Sequence, residues 1–400
     1  MDQESKLYQK FRDLYPKVKE EDILSCYSPY RVCPLGAHID HQRGIVTGFA
    51  LDLGINMVYK KNFDSTMSLL SLNFDDKKVF DSIEIESKQG DWCDYLRAAT
   101  WSLSVKKEIV LKKGISGIIY GEVPIGGLSS SSAVILCILQ ALCKVNEISL
   151  SNDEMIEITQ YAENKYVGVN SGTLDQSCIV LCEKDKLLVL DTLDGSYSNI
   201  GKPEKMEDYE IGIFYSGVSR TLGKGYNIRV DEVKSASYCL KAFANLPYET
   251  YEKSVMRDVP KKIFEDYKNK LPLKFAKRAE HYYQEMDNVK KGIEAWKKGD
   301  LTEFGFLMRE SGYSSIHNWE TGSKELIALY EELKEIPGVY GGRFSGAGFK
   351  GCCMALINPK YKDQIKDSIT KSYLKLFPEY KNSFKVFFCG TSSGVGSFTK

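Results

Sequence analysis

Between Val123 and Ala133 the chain reads Val-Pro-Ile-Gly-Gly-Leu-Ser-Ser-Ser-Ser-Ala and then runs straight into the apolar stretch Val134–Cys143. Small residues let a polyanion approach the backbone, and the apolar run predicts a helix starting right behind them. A helix N-terminus offers free N–H groups and a partial positive charge, so this junction reads as a phosphate cradle. It lacks the Gly-Lys-Ser/Thr ending of a P-loop, so the cradle is of a different make. Two further segments, Ser28–His41 and Gly341–Cys353, are equally dense in small and polar residues.

Four hundred residues are long for one core, which predicts two domains. The apolar (43%) and charged (27%) fractions are those of an ordinary globular protein. Formal net charge is zero and no long basic run occurs, which argues against nucleic acid and anionic membrane as partners. No segment approaches the roughly 20 apolar residues a bilayer span needs. The polar start Met1-Asp2-Gln3-Glu4 is unlike a secretory signal or transit peptide. The eleven cysteines are odd in number and scattered, without a CxxC pair, and Cys137, Cys143, Cys178 and Cys182 lie in apolar runs. Reduced thiols packed as small hydrophobes, and a cytoplasmic location, are expected.

Stretches Ile45–Asn56, Thr66–Leu72 and Gly117–Gly121 read as strands. Ser151-Asn152-Asp153-Glu154 has the form of a capping box, opening a helix with Met155, Ile156, Ile158 and Tyr161 at helical spacing. Leu187–Asp191 reads as a strand, and the polar, turn-prone stretch that follows to Lys205 is taken as the domain change, giving units 1–200 and 201–400. Beyond it, strands such as Glu210–Tyr215 alternate with long helices at Phe275–Gly299 and Leu301–Ser311 and one more that Ser323 caps and that runs to Glu335. The pattern predicts a two-domain α+β protein with an interdomain cleft, not a doubly wound sheet.

Gly346–Gly351 satisfies GxGxxG, but the strand-like Cys352–Ile357 follows it where a dinucleotide fold requires a helix. Arg31, His38, Asp40 and His41 form a second cluster. Two histidines three apart around an acid could suggest metal, or only a hydrogen-bonded loop. Asp and His also suit sugar hydroxyls, and Arg suits a phosphoryl group. Glu163 and Asp175 form a third cluster; Asp175 precedes the apolar Ser177–Leu181 run, and a buried acid needs a partner or a task.

Together, in their order and spacing, these segments resemble the signatures of the GHMP small-molecule kinases, closest to the sugar branch. Arg31–Asp40 resembles the galactokinase signature, Val123–Ala133 the ATP-phosphate loop, and Gly341–Cys353 the C-terminal glycine loop. Trp92-Cys93-Asp94-Tyr95 resembles a Trp-x-x-Tyr element, and Gly225-Tyr226 falls at the family's sugar-contacting Tyr. Met308–Ser311, continuing through Glu325-Leu326, is similar to its helical pattern. The resemblance implies the GHMP fold with its active site in the interdomain cleft, and ATP and Mg²⁺ as co-substrate and ion. It implies that Ser132 and Glu163 hold Mg²⁺, that Gly126, Gly127 and Ser129, Ser130, Ser131 and Ser132 wrap the phosphates, and that Trp92 belongs to the nucleotide side. Asp175 would take the proton of the sugar's anomeric hydroxyl, with Arg31 next to it facing the transferring phosphoryl group. His38, Asp40, Gly172 and Tyr226 would read sugar hydroxyls, and Gly346–Gly351 would close on the phosphate loop.

Two departures stand out. Leu128 and Ser129 occupy places where the family has Gly and Leu, which puts the backbone path of the loop in question. Ala37 stands where galactokinases carry the Glu that accepts from the sugar's 6-hydroxyl. Its loss frees space and removes a repulsion that would exclude a C6 carboxylate. Arg31–Gln42 and Gly341–Cys353 are similar to the galacturonokinase branch known from plants, which implies a C1 kinase of D-galacturonate. Galactose remains the alternative substrate, and a non-catalytic sugar and ATP sensor the alternative of another class. Lys224 and His41 are the first choices for a cation facing the carboxylate, with Arg43 and Arg220 behind them.

Overall fold

The computed structural model describes residues 3–123, 126–218, 225–247 and 250–395. Pro124 and Ile125 of the small-residue loop, and Arg220 and Lys224, lie outside them. Two sheets organise the chain. The first takes β1 (Leu24–Val32), β2 (Ile45–Lys61), β3 (Thr66–Ser71), β4 (Asp76–Asp81), β5 (Ile115–Gly121), β6 (Lys186–Asp191) and β7 (Tyr197–Gly201). The second takes β8 (Glu210–Tyr215), β9 (Val339–Phe344), β10 (Cys352–Ile357) and β11 (Lys385–Cys389), in the order β11-β8-β10-β9. The chain then returns: β12 (Thr391–Ser392) pairs with Leu51 and Ala50 of β2, adding an eighth strand to the first sheet.

The helices are α1 (Gln3–Leu14), α2 (Asp94–Lys107), α3 (Ser130–Asn146), α4 (Asn152–Tyr161), α5 (Leu174–Leu181) and α6 (Gly225–Phe243), followed by α7 (Lys261–Tyr267), α8 (Leu273–Lys298), α9 (Leu301–His317), α10 (Lys324–Glu335) and α11 (Lys362–Leu376). Helix α3 is apolar nearly all round, and Ile135–Leu139, Ala141 and Leu142 are fully buried. Such a helix can only be central, and it holds the small-residue loop against the first sheet. Helix α4 begins with both hydrogen bonds of the expected capping box: Glu154 N–H to Ser151 Oγ at 3.2 Å, and Ser151 N–H to Glu154 Oε2 at 2.8 Å. Ser323 likewise caps α10 by accepting from Leu326 N–H.

Two expectations need correction. The polar stretch after Asp191 contains β7, antiparallel to β6; its half-exposed edge position explains why no apolar alternation marked it. Helix α9 runs six residues past Ser311 (317 − 311) despite Gly312, Ser314 and Ser315. A Cβ at Gly312 would stand 2.5 Å from the Tyr330 ring, so close packing requires the glycine. All eleven cysteines are free thiols. Among the described residues no helix is long and apolar enough to cross a membrane.

Candidate active site

A cavity of about 380 Å³ lies where the two sheets' loops meet. Strand β1 delivers Arg31 and the first turn of α5 delivers Asp175. Arg31 Nε donates to Asp175 Oδ1 at 2.7 Å, a second guanidinium nitrogen lies 2.6 Å from the same oxygen, and the third donates to the Gly127 carbonyl at 3.1 Å. Arg31 is 3% exposed, while the Asp175 side chain keeps 25% of its surface open to the cleft. Ser129, at the N-cap of α3 with φ +54°, donates its hydroxyl to Asp175 Oδ2. Leu128 is fully buried and its carbonyl accepts from Arg31 N–H at 3.3 Å. The unusual Leu128-Ser129 pair thus seats an apolar anchor below the loop and turns a hydroxyl onto the acid.

Helix α4 passes into a π-helical turn, Ala162–Val167, a widening that recurs at functional sites. It presents Glu163, which accepts from Ser131 Oγ at 2.7 Å, Ser132 Oγ at 2.9 Å and the Gln176 amide. Burial first, and the Asp175 charge next, push the Glu163 carboxyl up to about 7. Its hydrogen-bond partners here are neutral, so a hard divalent cation would meet a carboxylate and a hydroxyl with no side-chain cation to displace. Among the described residues no cluster of three His, Cys, Asp or Glu side chains could hold a metal alone; a site built on Ser132 and Glu163 needs phosphate oxygens to complete it.

The GxGxxG segment is the turn between antiparallel β9 and β10, with no helix behind it. Gly346, Gly348 and Gly351 all have positive φ. A Cβ at Gly346 would stand 2.8 Å from Gly127 Cα, and one at Gly351 2.4 Å from the Gly126 carbonyl oxygen. Ser345, which the sequence reading passed over, donates to the Gly127 carbonyl at 2.6 Å. The two glycine loops therefore close on each other backbone to backbone, which only glycine permits.

On the other side of Asp175 stand Ala37, His38, Asp40 and Tyr226, all lining the cavity. His38 has φ +61° and lies flat against Trp319, with ring centroids 5.3 Å apart at 4°. Burial and nearby cationic groups hold it well below the usual imidazole range. Its Nε2 is buried without a hydrogen-bond partner among the described residues. Asp40 accepts from Leu174 N–H at 3.3 Å; burial, then Asp175, push its carboxyl up to about 6. Gly172 lies beneath this carboxylate, where a Cβ would come within 2.4 Å of Asp40 Oδ2.

The structure does not bring every candidate residue to the cleft wall. Trp92 stacks on Phe74 and donates to Asp76 at 3.0 Å; Tyr95, one turn on, lines the cavity instead. Burial first, and Lys234 next, push the His41 imidazole down to about 3, and its ring packs against Tyr226 and Trp319. Arg43 points its carbonyl to Arg257 on the surface. Among the described lining residues, the lysines and arginines are Arg31, Lys88 and Lys350. Lys88, which donates to the Val167 carbonyl, and Gln176, which donates to Glu163, gave no motif signal, because each meets its partner only in the fold.

An arginine–carboxylate pair open to a cleft between two interlocked phosphate-sized loops describes a kinase of small molecules, a reaction that asks for alignment and charge and little else. Comparison with known proteins agrees. The profile of the GHMP kinases N terminal domain matches residues 94–183, and that of the GHMP kinases C terminal matches residues 292–375. The chain is 38% identical over 378 residues to the galacturonokinase of Arabidopsis thaliana, covering 89% of this chain and 88% of that protein. It is 32% identical to a galactokinase of Clostridium perfringens, over 87% of this chain and 89% of that one. The crystal structure of Lactococcus lactis galactokinase complexed with galactose has the same fold, at a TM-score of 0.88 and 27% identity over 98% of both chains. The chain belongs to the GHMP kinases, among the sugar kinases of that family.

Proposed function

We propose that this protein transfers the γ-phosphoryl group of ATP to the anomeric C1 hydroxyl of D-galacturonate, giving galacturonate 1-phosphate and ADP. The observation that carries the choice of sugar is Ala37: a methyl group lines the cavity among His38, Asp40 and Tyr226, where a carboxylate would repel a uronate. The 38% identity to a galacturonokinase over most of the chain supports it.

In this reading the N-terminus of α3, with Gly126, Gly127 and Ser129–Ser132, cradles the ATP phosphates, and Ser132 and Glu163 hold Mg²⁺. A cation held there would supply charge to offset that of the ATP phosphates. Asp175 accepts the proton of the C1 hydroxyl. Arg31 occupies its Oδ1 and Ser129 one lone pair of Oδ2, so the sugar hydroxyl takes the remaining Oδ2 position that faces the cleft. Arg31 is placed to offset charge on the transferring group. His38, Asp40 and Tyr226 contact the sugar's other hydroxyls, and Gly172 leaves room for Asp40 to do so.

ADP release with Mg-ATP and D-galacturonate, D-glucuronate or D-galactose in parallel tests the proposal. Fastest turnover of galacturonate is expected. Faster turnover of galactose would make this a galactokinase, and no turnover of any sugar would favour a sensor.

Asp40 adds a pH signature. Its carboxyl, raised to about 6, gains a proton as pH falls through that value and turns from acceptor to donor. At saturating Mg-ATP, where the cation would keep Glu163 ionised, kcat/KM for the sugar should fall below about pH 6 as Asp40 takes up its proton. Asp40→Asn should lower kcat/KM and remove that limb. A profile of the unaltered enzyme that stays flat from pH 7 to 5 would show that Asp40 need not be ionised.

A further inference from the structure

Helix α8 carries Arg278, His281 and Glu285 at positions i, i+3 and i+7, one continuous stripe. In an amphipathic helix that stripe is apolar; here all three side chains are fully buried and polar. Each is satisfied by the segments that present the sugar-side residues. Glu285 Oε2 accepts from Gly36 N–H at 2.9 Å and Ala37 N–H at 3.0 Å. Ser311 Oγ donates to the same oxygen at 2.8 Å, and the Arg343 guanidinium lies 3.7 Å away. His281 Nε2 donates to the Ala37 carbonyl at 3.0 Å, which leaves Nδ1 to accept from Ser314 Oγ at 2.9 Å. Both backbone polar groups of Ala37 are thus held by two side chains one turn apart. Arg278 donates to the Asn318 carbonyl and to Glu320 Oε2 at 2.7 Å. That clamps the turn holding Trp319 flat against the His38 ring.

We infer that His281 and Glu285 are positioning residues for sugar binding: they fix Ala37 and hold His38 in its left-handed conformation, with Arg278 setting the Trp319 face behind it. The physical reason lies in the backbone. A non-glycine residue at φ +61° relaxes unless its surroundings over-determine it. Here the peptide groups before it are bonded on both sides. Among the described residues no hydrogen bond joins the ATP loop to this stripe; the loop's side-chain bonds run to Arg31, Ser345, Asp175 and Glu163. Loss of the clamp should therefore affect the sugar and spare the nucleotide. The inference rests on His38 and Asp40 contacting the sugar.

The test is steady-state kinetics of three variants on whichever sugar the unaltered enzyme phosphorylates fastest. A galactose preference would then remove the uronate reading and leave the clamp to be judged on galactose. His281→Leu, which leaves the Ala37 carbonyl unpaired, should raise the sugar KM about tenfold or more while the ATP KM stays within about twofold. His281→Gln, whose amide can still donate to that carbonyl, should recover most of the loss. Ser314→Ala, a milder change that frees the imidazole to turn, should raise the sugar KM in the same direction and serves if His281→Leu does not fold. Equal rises in both KM values, no rescue by Gln, or an unchanged sugar KM in folded Ser314→Ala and His281→Leu would overturn the inference.

Discussion

Asp175→Asn should lower turnover by about 10²–10⁴-fold, the range that a positioned general base contributes, while ATP still binds. The asparagine keeps an oxygen to accept from Arg31 and fits the same space, so geometry is preserved and proton acceptance is lost. The glycine loop keeps its bonds to Ser345 and to Arg31. Single-turnover ADP formation and an ATP titration separate the two effects. Turnover above a tenth of the unaltered rate would remove Asp175 as the base. Loss of ATP binding in step with turnover would instead assign it to holding the loop, through Ser129 and Arg31.

Ala37→Glu should reverse substrate preference. Because the Ala37 N–H and carbonyl are both held by α8, its Cβ direction is set, and a longer side chain must extend into the cavity it already lines. Two like charges about 4 Å apart at an effective dielectric near 20 repel by about 4 kcal/mol before salt screening. A fall of about a hundredfold or more in the galacturonate-to-galactose ratio of kcat/KM is therefore expected. Competition assays with both sugars in one vessel read that ratio directly. An unaltered ratio would leave Ala37 without a part in choosing the sugar.

Some of this site was legible along the chain, and the reason is local. The cradle, the acid before an apolar helix and the paired glycines carry their signal in consecutive residues, because helix ends and tight loops are built from neighbours. The capping box at Ser151 and the Ser323 cap were readable for the same reason, and both are present. The surroundings of His41 are not legible in the sequence, because Tyr226, Trp319 and Lys234 come from other parts of the chain. The partners of Trp92, Phe74 and Asp76, are likewise brought to it only by the fold.

From the amino-acid order alone came the α+β class, the family resemblance, the phosphate loop and the Arg31–Asp175 candidates, since each rests on spacing within short segments. Only the tertiary structure decided which oxygen of Asp175 Arg31 occupies, that Ser129 turns onto the same acid, and that Gly346 and Gly351 lock against the Gly126-Gly127 backbone. It alone revealed the polar stripe of α8, whose three residues sit in what reads as an ordinary charged helix. Burial converts them: a carboxylate or imidazole taken out of water must find partners, and those partners, 248 and 244 positions away for Ala37, exist only once the chain has folded.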